Sequence, residues 1–312
     1  MHTVIGIENF TEKNKPVYLA LGNFDGVHRG HQKLVSELVT KASSNGGQAV
    51  AFIFFPHPAQ VLTPDRAPHL LITPYRKAQL LEQMGLDALI YHPFTREIAA
   101  CSPEQFVKKI LVQDLKVKEV FVGFNYTFGH RGAGTPELLQ QQGEQYGFKV
   151  NIIPPVEFKG EPISSSLIRK SLEVGDIKMA HQLLGYYPIL DGKVVEGEHR
   201  GATIGFPTAN IGIENIYNVF GKGVYAARAA VGVKTYDCVV NIGSKPTFHE
   251  EYPVYIEAHL MEFNGDLYGQ RISLSLIEKL RDEKRFSSLE DLVAQITLDR
   301  DRALEISRAL TD

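Results

Sequence analysis

The chain has 312 residues, 44% of them hydrophobic and 22% charged, which is the composition of a folded protein rather than a disordered one. Its length exceeds the roughly 100–200 residues of most compact domains and predicts two of them. The formal net charge of -3 gives no basic face for nucleic acid, and no apolar run reaches the ~20 residues of a membrane span.

The cysteine content and the first residues favour a reducing cellular compartment. Cys101 and Cys238 are far apart and form no CxxC pair, so we expect neither a disulfide framework nor a zinc site. The first residues lack the basic and then apolar pattern of a secretory leader. We therefore expect a cytoplasmic protein with neither nucleic acid nor membrane as a partner.

The first half of the chain alternates short apolar runs with helical patterns. The predicted strands are residues 17–21, 49–55, 87–92, 119–124 and 149–154. Three intervening helices open with a hydroxyl residue followed by proline, at 73–74, 102–103 and 135–136, which is typical of an N-cap and a first helical position. This alternation predicts an α/β Rossmann-like domain with a parallel sheet.

The second half changes to consecutive β-type runs. Before it, a helical stretch over 165–185 is interrupted near Gly175 and ends on Gly185, where we place the boundary between domains 1–185 and 186–312. The β-type runs predict a small antiparallel barrel or sandwich, and we favour a β-barrel. Apolar residues at helical spacing over 287–310, with Ser288 as the N-cap, predict a C-terminal helix.

The stretch "GNFDGVHRGH" (22–31) follows the first strand and begins the first helix, where open α/β sheets bind ligands. It contains neither GxGxxG nor GxxxxGK[ST], so His28 and His31 take the place of the usual backbone or lysine cradle. Both can donate hydrogen bonds to phosphate beside the free amides of the helix N-terminus. The alternatives are helix-surface histidines or two of three zinc ligands.

This stretch resembles the HxGH signature of nucleotidyltransferases, and "ISSSLIR" (163–169) resembles their second motif. The resemblance implies transfer of AMP from ATP with release of pyrophosphate, His28 and His31 acting at the α-phosphate. It implies that Ser164, Ser165 and Arg169 bind the polyphosphate. On the residues alone, the alternative is an ordinary helix N-cap followed by a solvated arginine. The further residues expected to bind ATP or phosphate in the first motif are Gly22, Asn23, Phe24, Asp25, Gly26 and Gly30.

Two more stretches, "FFPHP" (54–58) and "VGFNYTFGHRGAGT" (122–135), resemble the prokaryotic FAD synthetase pattern. The resemblance implies that Asn125 binds the flavin, whereas on the residues alone both stretches could be simple turns. Phe55 stands where the family commonly has aspartate, and Ser166 where its second motif usually has threonine.

The loop "GATIGFPTAN" (201–210) contains Thr208 and Asn210, whose hard oxygen atoms suit Mg²⁺ held together with nucleotide phosphates. A glycine-rich hairpin is the alternative. The loop is similar to the signature of riboflavin kinases, and "VYIEAHLMEFNGDLYG" (254–269) to the strand and loop that follow it in that family. This resemblance places ATP at Gly201, Thr203 and Gly205.

Two charged residues of the second half also match that family. Glu257 corresponds to the catalytic base that takes the proton of the ribityl 5′-hydroxyl, and Arg281 in "EKLRDEKRF" corresponds to a flavin contact. For both, a solvated position on a strand or in a charge run is the alternative. The strand alternation places Tyr255 and His259 on the face of Glu257, and Ile256 with Ala258 on the other.

The whole chain is thus similar to the bifunctional riboflavin kinase/FMN adenylyltransferases of prokaryotes, or FAD synthetases. The resemblance implies that the barrel phosphorylates riboflavin to FMN and that the first domain transfers AMP from a second ATP to FMN, giving FAD and pyrophosphate, both with Mg²⁺. The rivals are an enzyme with one idle domain and a flavin-sensing regulator. No sequence feature sets the oligomeric state.

Overall fold

The computed structural model describes residues 1–11, 14–197, 200–214, 217, 219–244 and 254–310. The chain divides into two compact units. The first unit is Met1–Pro68 with Pro74–Ser164, and the second unit is His69–Thr73 with Ser165–Asp312. The boundary between the two activities at residue 185 stays a prediction.

The described part of the first unit contains a six-stranded parallel sheet in the order β1-β4-β3-β2-β5-β6. Its strands are β1 (His2–Ile5), β2 (Val17–Leu21), β3 (Gln48–Phe55), β4 (Ala88–Pro93), β5 (Val117–Gly123) and β6 (Lys149–Ile153). Five were predicted and the Rossmann-like class is confirmed. No sequence pattern marks β1, since only Val4 among its four residues is buried. All five residues of β2 are buried, as expected for a central strand covered on both faces.

Helices connect these strands. They are α1 (Arg29–Ser44), α2 (Pro58–Leu62), α3 (Pro74–Gln83), α4 (Arg96–Ala100), α5 (Pro103–Phe106), which continues into a π-helix at Val107–Asp114, and α6 (Pro136–Tyr146). The predicted caps at Ser102 and Thr135 are confirmed, since each side chain accepts a hydrogen bond from a backbone amide of the first turn. A two-stranded hairpin, β7 (Glu157–Phe158) and β8 (Glu161–Pro162), follows the sheet.

The second unit begins with two helices, α7 (Ser165–Glu173) and α8 (Ile177–Leu184). The predicted break and end are confirmed, because Gly175 (φ 77°) and Gly185 (φ 82°) have left-handed backbone conformations. The Gly221 amide donates to the Leu172 carbonyl at 2.8 Å, and a Cβ on Gly221 would lie 2.2 Å from the Glu173 carbonyl oxygen. The end of α7 therefore packs closely against the loop that leads into the barrel.

A closed antiparallel barrel in the order β10-β13-β12-β11-β14-β9 forms the rest of the second unit. Its elements are β9 (Ile189–Val195), the short helix α9 (Arg200–Thr203), β10 (Ala209–Gly212), β11 (Gly223–Val231), β12 (Lys234–Ser244), β13 (Val254–Leu260), β14 (Arg271–Arg281) and α10 (Leu289–Arg308). The predicted barrel with a C-terminal helix capped by Ser288 is confirmed. Residues 201–210 do not form a loop throughout, although their glycine-rich sequence predicts one, because α9 ends at Thr203 and β10 begins at Ala209.

Candidate active sites

Three of the predicted segments in the first unit follow the carboxyl ends of neighbouring parallel strands. The first motif follows β2, "FFPHP" completes and follows β3, and Asn125 follows β5. Because the strands are parallel and in register, these segments leave the sheet at the same edge. Asn23 Nδ2 lies 3.1 Å from His57 Nε2, so the first two segments are in direct contact.

His28 and His31 lie together at the start of α1, as predicted. The rings are stacked with centroids 3.7 Å apart, and the ring of Phe24 packs against His31 at 5.2 Å. The His31 amide donates to His28 Nδ1 at 3.4 Å, which makes His28 the N-cap of the helix. A Cβ on Gly30 would lie 3.2 Å from the His28 ring, so glycine at this position allows the capped geometry.

Burial determines the charge of both histidines. It lowers the pKa of His28 to about 4. Burial, followed by the nearby charges of His28 and Lys77, lowers the pKa of His31 well below its ordinary value. At neutral pH both rings are uncharged. His28 accepts through Nδ1 and consequently carries its proton on Nε2, while His31 Nδ1 is buried without a hydrogen bond to any described residue.

Lys77 on α3 belongs to this cluster, and the sequence analysis missed it. Its ammonium group donates to the Asn23 carbonyl at 2.6 Å. Burial lowers the pKa of Lys77 to about 8, and the charge of Asp25 opposes this change. Asp25 itself is buried. No motif links residue 77 to residues 23–25, since only the packing of α3 against the 3₁₀ turn at Asp25–Val27 brings them together.

The second motif spans the point in the chain at which the first unit ends and the second begins. Ser164 is the last residue of the first unit, and Ser165 begins α7 in the second. The Arg169 guanidinium donates to Ser166 Oγ at 3.2 Å and to the His69 carbonyl at 3.4 Å. Ser166, which departs from the usual threonine, thus supplies a hydroxyl partner to Arg169. The phosphate-binding role of these residues stays a prediction.

The loop of the second unit has a shape that requires glycine. A Cβ on Gly201 would lie 2.3 Å from the Phe206 carbonyl oxygen and 3.3 Å from Thr208 Oγ1. Gly205 has a φ of 86°, a conformation that costs other residues free energy. Thr208 directly precedes β10 and Thr203 ends α9, so the predicted ATP and metal residues occupy a short, tightly folded segment.

Strand pairing brings the predicted metal ligands next to the predicted base. Asn210 of β10 is paired with Glu257 of β13, and directly paired residues project to the same face of a sheet. As predicted, Ile256 and Ala258 are buried on the opposite face. His259 Nδ1 lies 2.8 Å from the Pro207 carbonyl oxygen and holds the loop 201–210 against this strand.

Arg281 makes contacts that a flavin role does not require. Its Nε and Nη2 donate to the buried Asp299 of α10 at 2.8–3.1 Å. Nη1 donates to the Asp282 carbonyl at 3.0 Å, and the ring of Phe286 lies 5.8 Å away. The guanidinium therefore anchors the C-terminal helix to the barrel, and the flavin contact stays a prediction.

Comparison with known proteins gives two family matches. The FAD synthetase family model matches residues 10–167, and the riboflavin kinase model matches residues 184–307. The bifunctional riboflavin kinase/FMN adenylyltransferase of Bacillus subtilis (strain 168) is 37% identical over 94% of this chain and 93% of its own length. That of Escherichia coli (strain K12) is 36% identical over 98% and 97%. The chain belongs to the bifunctional riboflavin kinase/FMN adenylyltransferase family.

Family membership confirms the predicted function, a riboflavin kinase joined to an FMN adenylyltransferase, and the predicted class of enzyme. A solved structure named Macrolide-efflux Protein from Streptococcus pneumoniae has a TM-score of 0.86 and 28% identity, covering 96% of this chain and 98% of that one. Among the described residues of the present chain, no helix is long and apolar enough to cross a membrane.

Proposed function

We propose that the two reactions of the family are divided between the two sites described above, with His28 and His31 serving adenylyl transfer and Glu257 serving the kinase. The first site forms FAD and pyrophosphate from FMN and ATP, and the second forms FMN and ADP from riboflavin and ATP. The observation that carries this division is that each half of the chain has its own cluster of predicted site residues: the stacked histidines at the start of α1 and the Asn210–Glu257 pair in the barrel.

In adenylyl transfer, a phosphate oxygen of FMN attacks the α-phosphorus of ATP. The bond to the bridging oxygen breaks, and pyrophosphate leaves with the electron pair. The attacking oxygen is already anionic, so no general base is needed. The neutral His28 ring donates a hydrogen bond from Nε2–H to a non-bridging oxygen, and the N-terminal amides of α1 add positive potential. In this proposal Ser164, Ser165 and Arg169 bind the polyphosphate, and Asn125 binds the flavin.

In the kinase reaction, Glu257 accepts the proton of the riboflavin 5′-hydroxyl as its oxygen attacks the γ-phosphorus and ADP leaves. Thr208 and Asn210 offer neutral oxygen atoms, and the Gly201 backbone lies so close to Thr208 that a Cβ there would be 3.3 Å from Oγ1. This donor set fits Mg²⁺, which takes its remaining ligands from water and phosphates and, when bound, neutralises phosphate charge. We expect both reactions to take place in the cytoplasm.

The test uses the purified full-length protein and separates riboflavin, FMN and FAD after incubation with Mg·ATP. His28→Ala is expected to form FMN normally while FAD formation falls roughly 10²–10³-fold. Glu257→Gln is expected to lower FMN formation roughly 10²–10⁴-fold yet convert supplied FMN to FAD.

Equal loss of both activities in either variant would contradict the division of labour. If the parent protein binds flavin but turns over neither substrate, it is a flavin-sensing regulator, and if it catalyses one reaction alone, one domain is idle.

A further inference from the structure

Lys77 lies on the neighbouring helix α3 and donates a hydrogen bond to the backbone of the first motif. Its ammonium group lies 2.6 Å from the Asn23 carbonyl, so it fixes the backbone of the segment that precedes the histidines. The half-buried lysine is on α3, which packs against the turn at Asp25–Val27. The titratable groups that act on it from these elements are Asp25 in the turn and His31 in the first turn of α1. On α3 itself, Arg76 is its neighbour.

The charges of this cluster act on any anion that binds at the start of α1. Both histidines are neutral at pH 7, so they contribute hydrogen-bond donors but no positive charge. Asp25 is 4% exposed and precedes the helix N-terminus at which the triphosphate is expected. A buried carboxylate there would repel the triphosphate unless a cation cancelled its charge. The ammonium group of Lys77 is a cation in contact with this segment.

We propose that Lys77 is a positioning residue of the adenylyl-transfer site, which holds the Asn23–Asp25 segment and cancels the charge of Asp25 so that the triphosphate of ATP can bind at the start of α1. This inference rests on the assignment of His28 and His31 to adenylyl transfer. A lysine that only braced the loop would need its hydrogen bond to Asn23 and not its charge opposite Asp25. The two roles therefore differ in their response to Asp25 and to pH.

The first experiment measures kcat and KM for ATP in the conversion of FMN to FAD by the full-length protein. Lys77→Met is expected to lower kcat/KM for ATP roughly 10- to 100-fold, which corresponds to the loss of a hydrogen bond made by a charged group. Most of this change is expected in KM. Lys77→Arg keeps the charge and is expected to recover most of that loss. The matched control is Lys41→Met on the exposed surface of α1, which is expected to match the parent. Conversion of riboflavin to FMN in the same preparations checks that each variant is folded.

A double variant tests the charge itself. If Lys77 cancels the charge of Asp25, then Asp25→Asn combined with Lys77→Met is expected to recover at least part of the activity lost in Lys77→Met alone. Should the two substitutions simply add their losses, charge cancellation is wrong.

The pH profile gives an independent readout. The parent needs the protonated lysine, so its kcat/KM for ATP is expected to fall as pH rises through about 8. Arginine stays charged, and the fall in Lys77→Arg is therefore expected at least one pH unit higher. An unchanged profile in Lys77→Arg, or normal kcat/KM in Lys77→Met, overturns the proposal. If FAD formation survives in His28→Ala as well, the assignment of the site has failed; if it collapses there and not in Lys77→Met, only the inference about Lys77 has failed.

Discussion

For a single residue such as His28, the fold determines the charge state of the side chain. Its ring caps α1 and is almost fully buried, and burial lowers its pKa to about 4 from an ordinary value near 6.5. Between these two values the unfolded chain binds a proton that the folded chain does not bind. The contribution of His28 to stability is therefore complete above pH 6.5 and is lost as pH falls towards 4.

We predict that replacing His28 with asparagine makes the stability of the protein less sensitive to acid. The parent is expected to lose about 2–3 kcal/mol between pH 7.5 and pH 4.5 through this residue, a loss that His28→Asn avoids. Urea unfolding of both proteins at the two pH values measures the difference. His2→Asn, at an exposed position of β1, is the control and is expected to follow the parent. An equally steep loss in His28→Asn would show that the ring is not the group that titrates.

Sequence motifs led to His28 and Glu257 but not to Lys77, and the reason is physical. The two histidines lie three positions apart at a helix start within a recognisable motif, whereas Glu257 is predicted through the resemblance to riboflavin kinases, with strand alternation giving only its face. Lys77 is 54 positions from Asn23, and their contact depends on the packing of α3. Arg281 shows the same limit, since nothing local in its charge run indicates a partner on α10.

At the scale of elements, the Arg281–Asp299 pair fastens α10 to the barrel. The Asp299 side chain is 6% exposed and that of Arg281 is 21% exposed, so this is a largely buried ion pair with three hydrogen bonds. Breaking such a pair by removing one partner leaves an uncompensated charge. The pair Arg302–Glu305 on the same helix is solvent-exposed and offers a matched comparison.

We predict that Asp299→Asn destabilises the second unit by roughly 3–5 kcal/mol, whereas Glu305→Gln costs less than about 1 kcal/mol. Thermal unfolding monitored through riboflavin kinase activity measures both. At a temperature where Asp299→Asn remains folded, its KM for riboflavin is expected to equal that of the parent. A raised KM without lower stability would instead favour the flavin contact that the sequence predicted for Arg281.

Short elements were the hardest to predict. The β-type runs of the barrel gave five of its strands, but β10 has four residues and adjoins a loop rich in glycine, so no alternation pattern could mark it. The edge strand β1 also has four residues, and only Val4 among them is buried, so it too lacks a recognisable pattern. The helices α7 and α8, by contrast, were predicted with their break and end because Gly175 and Gly185 mark both points.

The two compact units divide the whole molecule differently from the predicted activity domains, which place α7 and α8 in the first domain, 1–185. Both helices belong to the second unit. The Lys178 ammonium group on α8 lies 2.8 Å from the carboxylate of Glu278 on β14, and the backbone of α7 bonds to Gly221. The buried residues of these helices include Ile168, Leu172, Ile177 and Leu183. A fragment that begins at residue 186 would lack these buried side chains and the contacts that α8 makes with β14 and α7 makes with Gly221.

We predict that residues 165–312 form a more stable riboflavin kinase than residues 186–312. Burying each large aliphatic side chain contributes roughly 1.5–3 kcal/mol, so the difference in unfolding free energy is expected to be several kcal/mol. Both fragments lack His69–Thr73, which packs in the second unit, so that loss is common to them and cancels in the comparison. Urea unfolding and conversion of riboflavin to FMN are measured for both. If the fragments are equally stable and equally active, α7 and α8 do not support the kinase fold, and the boundary at residue 185 is also the limit of an independent folding unit.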